Sequence, residues 1–289
     1  MRAGRRNVAI SSPDKPMFPA AGITKLELCR YYADVAPAMV PLVRDRPIAM
    51  HSFPAGVERE GYYIKNVPKH FPDYVKRATV RKRGGTVTHA LANDAASLVY
   101  LANQNCVTPH LWLSKADKPD LPDRLIFDLD PPEGGSFADV RAAARELGGL
   151  LRDRGLAPFA MTTGSKGLHV TVPIRRRLDF EKAYRWAKAV GEELVETAPR
   201  KLTLEFLKEN RDGRIYVDVR RNAYAQHAVA PYAVRPREQA PVAMPIQWDE
   251  LSDRALKSQR WTLRNAPDRL AAEGDAWTGF ASAARALKG

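Results

Sequence analysis

Asp128 and Asp130 lie one residue apart in the run Phe127-Asp128-Leu129-Asp130-Pro131-Pro132. On a strand, residues i and i+2 project from the same face, with Cβ atoms about 6–7 Å apart. Two like charges so placed repel unless a cation sits between them. Hard carboxylate oxygens suit Mg²⁺ or Mn²⁺. Asp218 falls on a second predicted strand, between Val217 and Val219. Three carboxylates on neighbouring strands are the set needed to hold two divalent ions about 3.5–4 Å apart for in-line phosphoryl transfer. Taken alone, Asp-Leu-Asp fits a solvated strand end with two surface acids equally well.

The run Thr162-Thr163-Gly164-Ser165-Lys166-Gly167-Leu168-His169 is a second candidate. Its glycines permit a tight turn whose N–H groups can face a phosphate. Lys166 adds a point charge, Thr163 and Ser165 add hydroxyls, and His169 follows the turn. The Walker A spacing is absent, and such hairpin tips are common on ordinary surfaces. His110, Arg211, Arg214 and Arg235 are further candidates for holding a triphosphate, although a histidine beside Trp112 suits a packed core and scattered arginines suit solvent. Tyr62 and Tyr63 beside Lys65 could stack a base, or be ordinary strand residues. Arg81-Lys82-Arg83 and Arg175-Arg176-Arg177 read as solvated basic faces.

These residues need elements to position them. Residues 124–130 read as a strand bounded by Pro122 and Pro131. Ser136 caps a helix with Phe137, Val140, Ala144, Leu147 and Leu151 on its apolar side, stopping at Gly155. FAMTT and LHVTVPI form a hairpin about Gly164–Gly167, with Leu168, Val170 and Val172 on one face and His169 and Thr171 on the other. Asp179 caps a helix to about Thr197. RIYVDVRR, 214–221, reads as a strand with Tyr216, Asp218 and Arg220 on one face. Thr24 and Glu27 form a capping-box pattern, and Pro37 ends or kinks the helix that follows. Strands and helices alternate irregularly, which favours an α+β fold in one domain, 1–289, over a doubly wound parallel sheet.

The chain of 289 residues is 45% apolar, enough for a real core, and carries 46 Lys and Arg against 33 Asp and Glu, a net charge of +13. That excess points to a polyanion: nucleic acid, nucleotide or an acidic membrane surface. Cys29 and Cys106 form no CxxC, which excludes a ribbon or finger zinc site and argues against a disulfide framework. No apolar run is long enough for a membrane span, and MRAGRRNVAI lacks the apolar stretch of a secretory signal. A cytoplasmic protein is expected.

Taken in order, Asp14-Lys15-Pro16-Met17-Phe18-Pro19, Thr24-Lys25, Tyr62-Tyr63-Ile64-Lys65-Asn66, His110-Leu111-Trp112, Asp128-Leu129-Asp130-Pro131, Gly164-Ser165-Lys166-Gly167-Leu168-His169, Val217-Asp218 and Ala230-Pro231-Tyr232-Ala233-Val234-Arg235 resemble the polymerase domain of bacterial DNA ligase D, within the archaeo-eukaryotic primase superfamily. The resemblance runs over almost the whole chain. It implies a primase–polymerase fold: an RRM-like mixed sheet and a second, smaller sheet, with the active site between. Asp128, Asp130 and Asp218 would be the metal triad for two Mn²⁺ or Mg²⁺ ions. His110, Thr163, Lys166, His169, Arg211 and Arg235 would hold the NTP or dNTP. Lys15 and Lys25 would grip the 5′-phosphate of a DNA gap, and Tyr62 and Tyr63 the template. The implied activity is extension of DNA 3′ ends at gaps or breaks in non-homologous end joining. DNA, Ku and an ATP-dependent DNA ligase would be its partners at the nucleoid.

The chain departs from that pattern at four places. Thr163 stands where the family usually has Ser. Ser12 stands near an expected Asn, Ser52 where a basic residue is common, and Arg221 where a neutral polar residue is usual. Three rival readings stand beside it. One is a primase that starts chains de novo, and another is a non-catalytic DNA-end-binding module. The third, a haloacid-dehalogenase-type phosphatase, wants Thr or Val where this chain has Pro132.

Overall fold

The structure is a computed structural model and describes residues 1–287. It divides into two compact units. The first holds Met1–Pro119, His227–Met244 and Trp261–Asp275; the second holds Asp120–Gln226, Pro245–Arg260 and the described residues from Ala276 on.

The first unit begins with short pairs, β1 (Arg2–Ala3) with β2 (Arg6–Asn7) and β3 (Pro16–Phe18) with β4 (Ile23–Thr24). Helix α1 (Lys25–Asp34) starts on the expected capping box: Thr24 Oγ1 accepts from Glu27 N–H at 3.3 Å, and Glu27 Oε2 accepts from Thr24 N–H at 2.8 Å. The helix is interrupted at Val35, and α2 (Ala36–Val43) restarts with Pro37 in its first turn, where a missing N–H costs nothing. The strands that follow are β5 (Ile48–Ser52), β6 (Tyr62–Ile64), β7 (Arg77–Lys82) and β8 (Gly85–Ala90). Helix α3 (Ala95–Asn103) precedes β9 (Cys106–Trp112), which is buried throughout.

The second unit opens with β10 (Arg124–Asp130), then α4 (Phe137–Asp153) capped by Ser136, then the hairpin β11 (Phe159–Thr162) and β12 (Leu168–Pro173). Helix α5 (Phe180–Thr197) is capped by Asp179 and followed by β13 (Leu202–Thr203) and β14 (Ile215–Asp218). Then come β15 (His227–Val229) of the first unit, β16 (Met244–Ile246), and helix α6 (Ala266–Glu273), again of the first unit. Apolar faces of α4 and α5, including Val140, Leu147, Leu151, Ala187, Val190 and Leu194, are buried.

Two sheets of six strands result, one in order β13-β14-β10-β12-β11-β16, the other β15-β9-β5-β8-β7 with β6 added on β5. The α+β class is as expected. One boundary differs: β14 ends at Asp218 rather than running to Arg221. Val219 adopts αR angles, and Asp218 Oδ1 accepts from Arg220 N–H at 2.8 Å, so the side chain of the last strand residue turns the chain into a 3₁₀ segment, Arg220–Asn222. Arg220 therefore leaves the sheet face expected for it. No helix among the described residues is long and apolar enough to cross a membrane.

Candidate active site

Strand β10 is flanked on both sides, and its register decides which side chains meet. Asp128 is the direct partner of Asp218 on β14 and of His169 on β12. Directly opposed residues of antiparallel strands share a face, so Asp218, Asp128 and His169 form a row across the sheet. Asp130, two residues along β10, joins the same face opposite Tyr216. Asp128, Asp218 and His169 are buried.

The row is knit by short contacts. His169 Nε2 lies 3.3 Å from Asp128 Oδ1. Asp218 Oδ1 accepts from Arg220 N–H and from the Tyr216 hydroxyl at 3.3 Å. Arg221 Nε lies 3.2 Å from Asp218 Oδ2 and 3.8 Å from Asp128 Oδ2. The charge of Asp128, then burial, raises the Asp130 carboxyl to about 7. Burial raises Asp218 also, with Arg221 opposing. The site is short of positive charge.

The turn after β11 is built around Thr163. Its buried hydroxyl accepts from Ser165 N–H at 3.3 Å and Gly167 N–H at 3.2 Å, and lies 3.3 Å from the Ser258 hydroxyl, which itself donates to Gly167 O at 2.8 Å. Thr163 thus shapes the turn and leaves Lys166 exposed at its tip. Gly164 takes a left-handed φ of 63°. A Cβ on Gly167 would stand 2.2 Å from Leu129 O and 3.1 Å from Asp130 Oδ1, so only glycine lets the turn close on β10. Arg211 stacks over the Tyr216 ring at 3.9 Å and donates to Glu205 O and Phe206 O.

The remaining expected residues belong to the first unit. His110 sits on buried β9 among His51, Tyr63 and His227, with ring centroids 6.1, 5.3 and 5.4 Å away. Burial, then the charges of His227, Arg235 and His51, holds its pKa well below the usual histidine range. Tyr62 and Tyr63 occupy successive positions of β6 and so face opposite ways. Tyr63 stacks on His51 at 4.3 Å, and both tyrosines are exposed. Lys25 is buried and donates to Ser11 Oγ at 3.1 Å; burial, then Lys15, lowers its pKa. Lys15 donates to Pro54 O and to Asn105 Oδ1, the latter at 3.3 Å. Two ammonium groups influencing each other near hydroxyl and amide groups make a pocket that favours an anion.

A profile of the primase–polymerase domain of LigD matches residues 24–277. The chain belongs to that family. LigD of Mycobacterium tuberculosis H37Rv is 34% identical over 281 residues, 94% of this chain and 37% of its own length. LigD of Mycolicibacterium smegmatis is 32% identical over 270 residues, 93% of this chain and 35% of its own. The chain thus spans about a third of these relatives. Among solved structures, the polymerase domain of M. tuberculosis ligase D in complex with DNA superposes with a TM-score of 0.91 at 33% identity, covering 96% of this chain and 99% of that one.

The primase–polymerase family implies divalent cations. Three carboxylates on one sheet face, one of them raised to about 7 by its neighbour, are the hard, underneutralised oxygens such a cation relieves. They fit. In the present arrangement no group of three His, Cys, Asp or Glu side chains among the described residues is gathered as a metal-holding set. The cation standing there is the Arg221 guanidinium. Sequence reasoning missed the ring partners His51 and His227, and Ser258 behind the turn; strand pairing and chain return, not local pattern, bring them in.

Proposed function

We propose that this chain is a polymerase domain of non-homologous end joining, a template-directed nucleotidyltransferase that adds ribo- or deoxyribonucleotides to DNA 3′ ends at gaps or breaks. One observation carries the reading: the β10–β14 register that sets Asp128 opposite Asp218 with Asp130 two residues on, in a member of the primase–polymerase family. Asp128, Asp130 and Asp218 would hold Mn²⁺ or Mg²⁺. Bound there, such ions would acidify a primer 3′-hydroxyl and offset charge on the leaving pyrophosphate.

The chain's own residues do the rest. His169 orients the Asp128 carboxylate through Oδ1. Two donors occupy Asp218 Oδ1, which leaves Oδ2 to Arg221. Lys166, presented by the Thr163 turn, and Arg211 supply fixed positive charge to a triphosphate. His110 and Arg235 are proposed nucleotide-binding residues of the first unit, with Lys15 and Lys25 for the 5′-phosphate of a gap, and Tyr62 and Tyr63 for the template strand. DNA is the proposed partner, with Ku and an ATP-dependent ligase as the proteins it works beside.

Primer extension on a gapped duplex tests the reading. Asp128→Ala or Asp130→Ala abolishes synthesis and leaves DNA binding intact; retained synthesis in either variant overturns it. Arg221 among the acids favours a second reading, a non-catalytic DNA-end-binding module. Absence of synthesis by the unaltered chain with Mn²⁺ and NTPs would select it.

A further inference from the structure

Arg221 is the unexpected residue of the acidic row. Its Nε lies 3.2 Å from Asp218 Oδ2 and 3.8 Å from Asp128 Oδ2, so one guanidinium serves an oxygen of each carboxylate. A guanidinium and a divalent ion compete there for the same negative charge. The Arg221 side chain is 38% exposed, so part of it faces solvent. It also borders a cavity of about 410 Å³, lined by Tyr184, Phe206, Asp218, Arg220 and Arg221 among others. Within it, Arg220 stacks over the ring of Phe206 at 4.3 Å, and that ring is 54% exposed. The cavity gives the released side chain somewhere to go. Two guanidinium groups beside an exposed aromatic ring suit a phosphodiester flanked by a base.

We propose that Arg221 is an exchangeable counter-ion: it neutralises Asp128 and Asp218 in the cation-free protein, and when a divalent ion displaces it, it turns into the adjoining cavity beside Arg220 to receive a phosphodiester of the strand being extended. This rests on the polymerase reading for the ligand role of the acids. It goes beyond that reading by coupling cation loading to strand binding at a named cavity. By linkage, strand and cation then raise each other's affinity by the same factor.

Calorimetric titration of the intact chain with Mn²⁺, and with a short single-stranded oligothymidylate in the presence and absence of Mn²⁺, tests it. R221Q is expected to bind Mn²⁺ about tenfold more tightly than the unaltered chain, because the competing charge is gone. R221K, which keeps a positive charge there, stays closer to the unaltered chain than R221Q does. Mn²⁺ raises oligonucleotide affinity severalfold in the unaltered chain, and that coupling is lost in R221Q. An R221Q chain that binds Mn²⁺ no more tightly overturns the proposal, as does an oligonucleotide affinity that Mn²⁺ leaves unmoved in the unaltered chain. Either result alongside normal primer extension removes the counter-ion and spares the polymerase; a chain that neither binds Mn²⁺ nor extends primers removes both.

Discussion

Asp128 and Asp218 are direct register partners across an antiparallel pair although 90 residues separate them in sequence. Their carboxylates share one guanidinium, and Asp130 completes the group. The electrostatics of the site follow from that pairing, and so does its pH behaviour.

Asp130 is raised to about 7 in the folded chain from an ordinary value of 3.8, first by Asp128 and then by burial. A raised carboxyl contributes stability that is complete below the unfolded value and lost as pH climbs through the folded one. Thermal melts of the cation-free protein are therefore expected to show the Asp130 contribution disappearing between about pH 4 and about 7. Asp130→Asn should flatten that part of the profile; an unchanged slope counts against the shift. Asp128→Asn, which removes the largest cause, returns Asp130 toward the ordinary range in a carboxyl NMR titration.

Gly167→Ala forces a Cβ to within 2.2 Å of Leu129 O, a backbone atom of the strand that carries both early acids. Overpacking of this kind costs about 1–3 kcal/mol. Melting temperature and primer extension should fall together, since relief requires the turn or β10 to move. Wild-type synthesis by this variant would mean that the turn does not need its close approach.

Thr163→Val keeps shape and removes the acceptor for Ser165 N–H and Gly167 N–H. Leaving a buried donor unmatched costs about 1–3 kcal/mol. The expected kinetic mark is a higher KM for nucleotide, because Lys166 loses its support. Thr163→Ser restores both values. If Ser fails to rescue, packing of the methyl group, not the hydroxyl, is what matters.

Lys25→Ala should weaken binding to gaps bearing a 5′-phosphate by at least about tenfold, the scale of one charge-assisted contact. Gaps ending in a 5′-hydroxyl should bind as before. Equal loss on both substrates assigns Lys25 to the local structure around Ser11 instead.

Local signals in the sequence found β10 to the residue, Arg124–Asp130, because flanking prolines and a dense apolar run delimit it. They also found the caps Thr24, Ser136 and Asp179, since capping chemistry is contained within three or four residues. The end of β14 was not legible. The strand pattern continues through Val219 and Arg220, and the stop comes from Asp218 bonding to the backbone two residues on. With that stop hidden, so was the position of Arg221. The ring cluster about His110 was invisible for another reason: β5, β9 and β15 supply His51, His110 and His227, and only long-range pairing joins them. Opposite facing of Tyr62 and Tyr63 followed from strand alternation, but only once both were fixed on β6.

Beyond the end of β14, the amide of Asn222 continues what the backbone no longer supplies. Its Oδ1 accepts from Ile126 N–H at 2.8 Å and its Nδ2 donates to Ile126 O at 2.7 Å, as a neighbouring strand residue would. The flank of β10 is thus sealed by a segment made 96 residues later. During synthesis on the ribosome, the first two acids emerge long before the residues that neutralise and fasten them. A nascent chain interrupted in that interval carries an open sheet edge and two adjacent negative charges, so competence for chemistry arrives only with late, long-range closure.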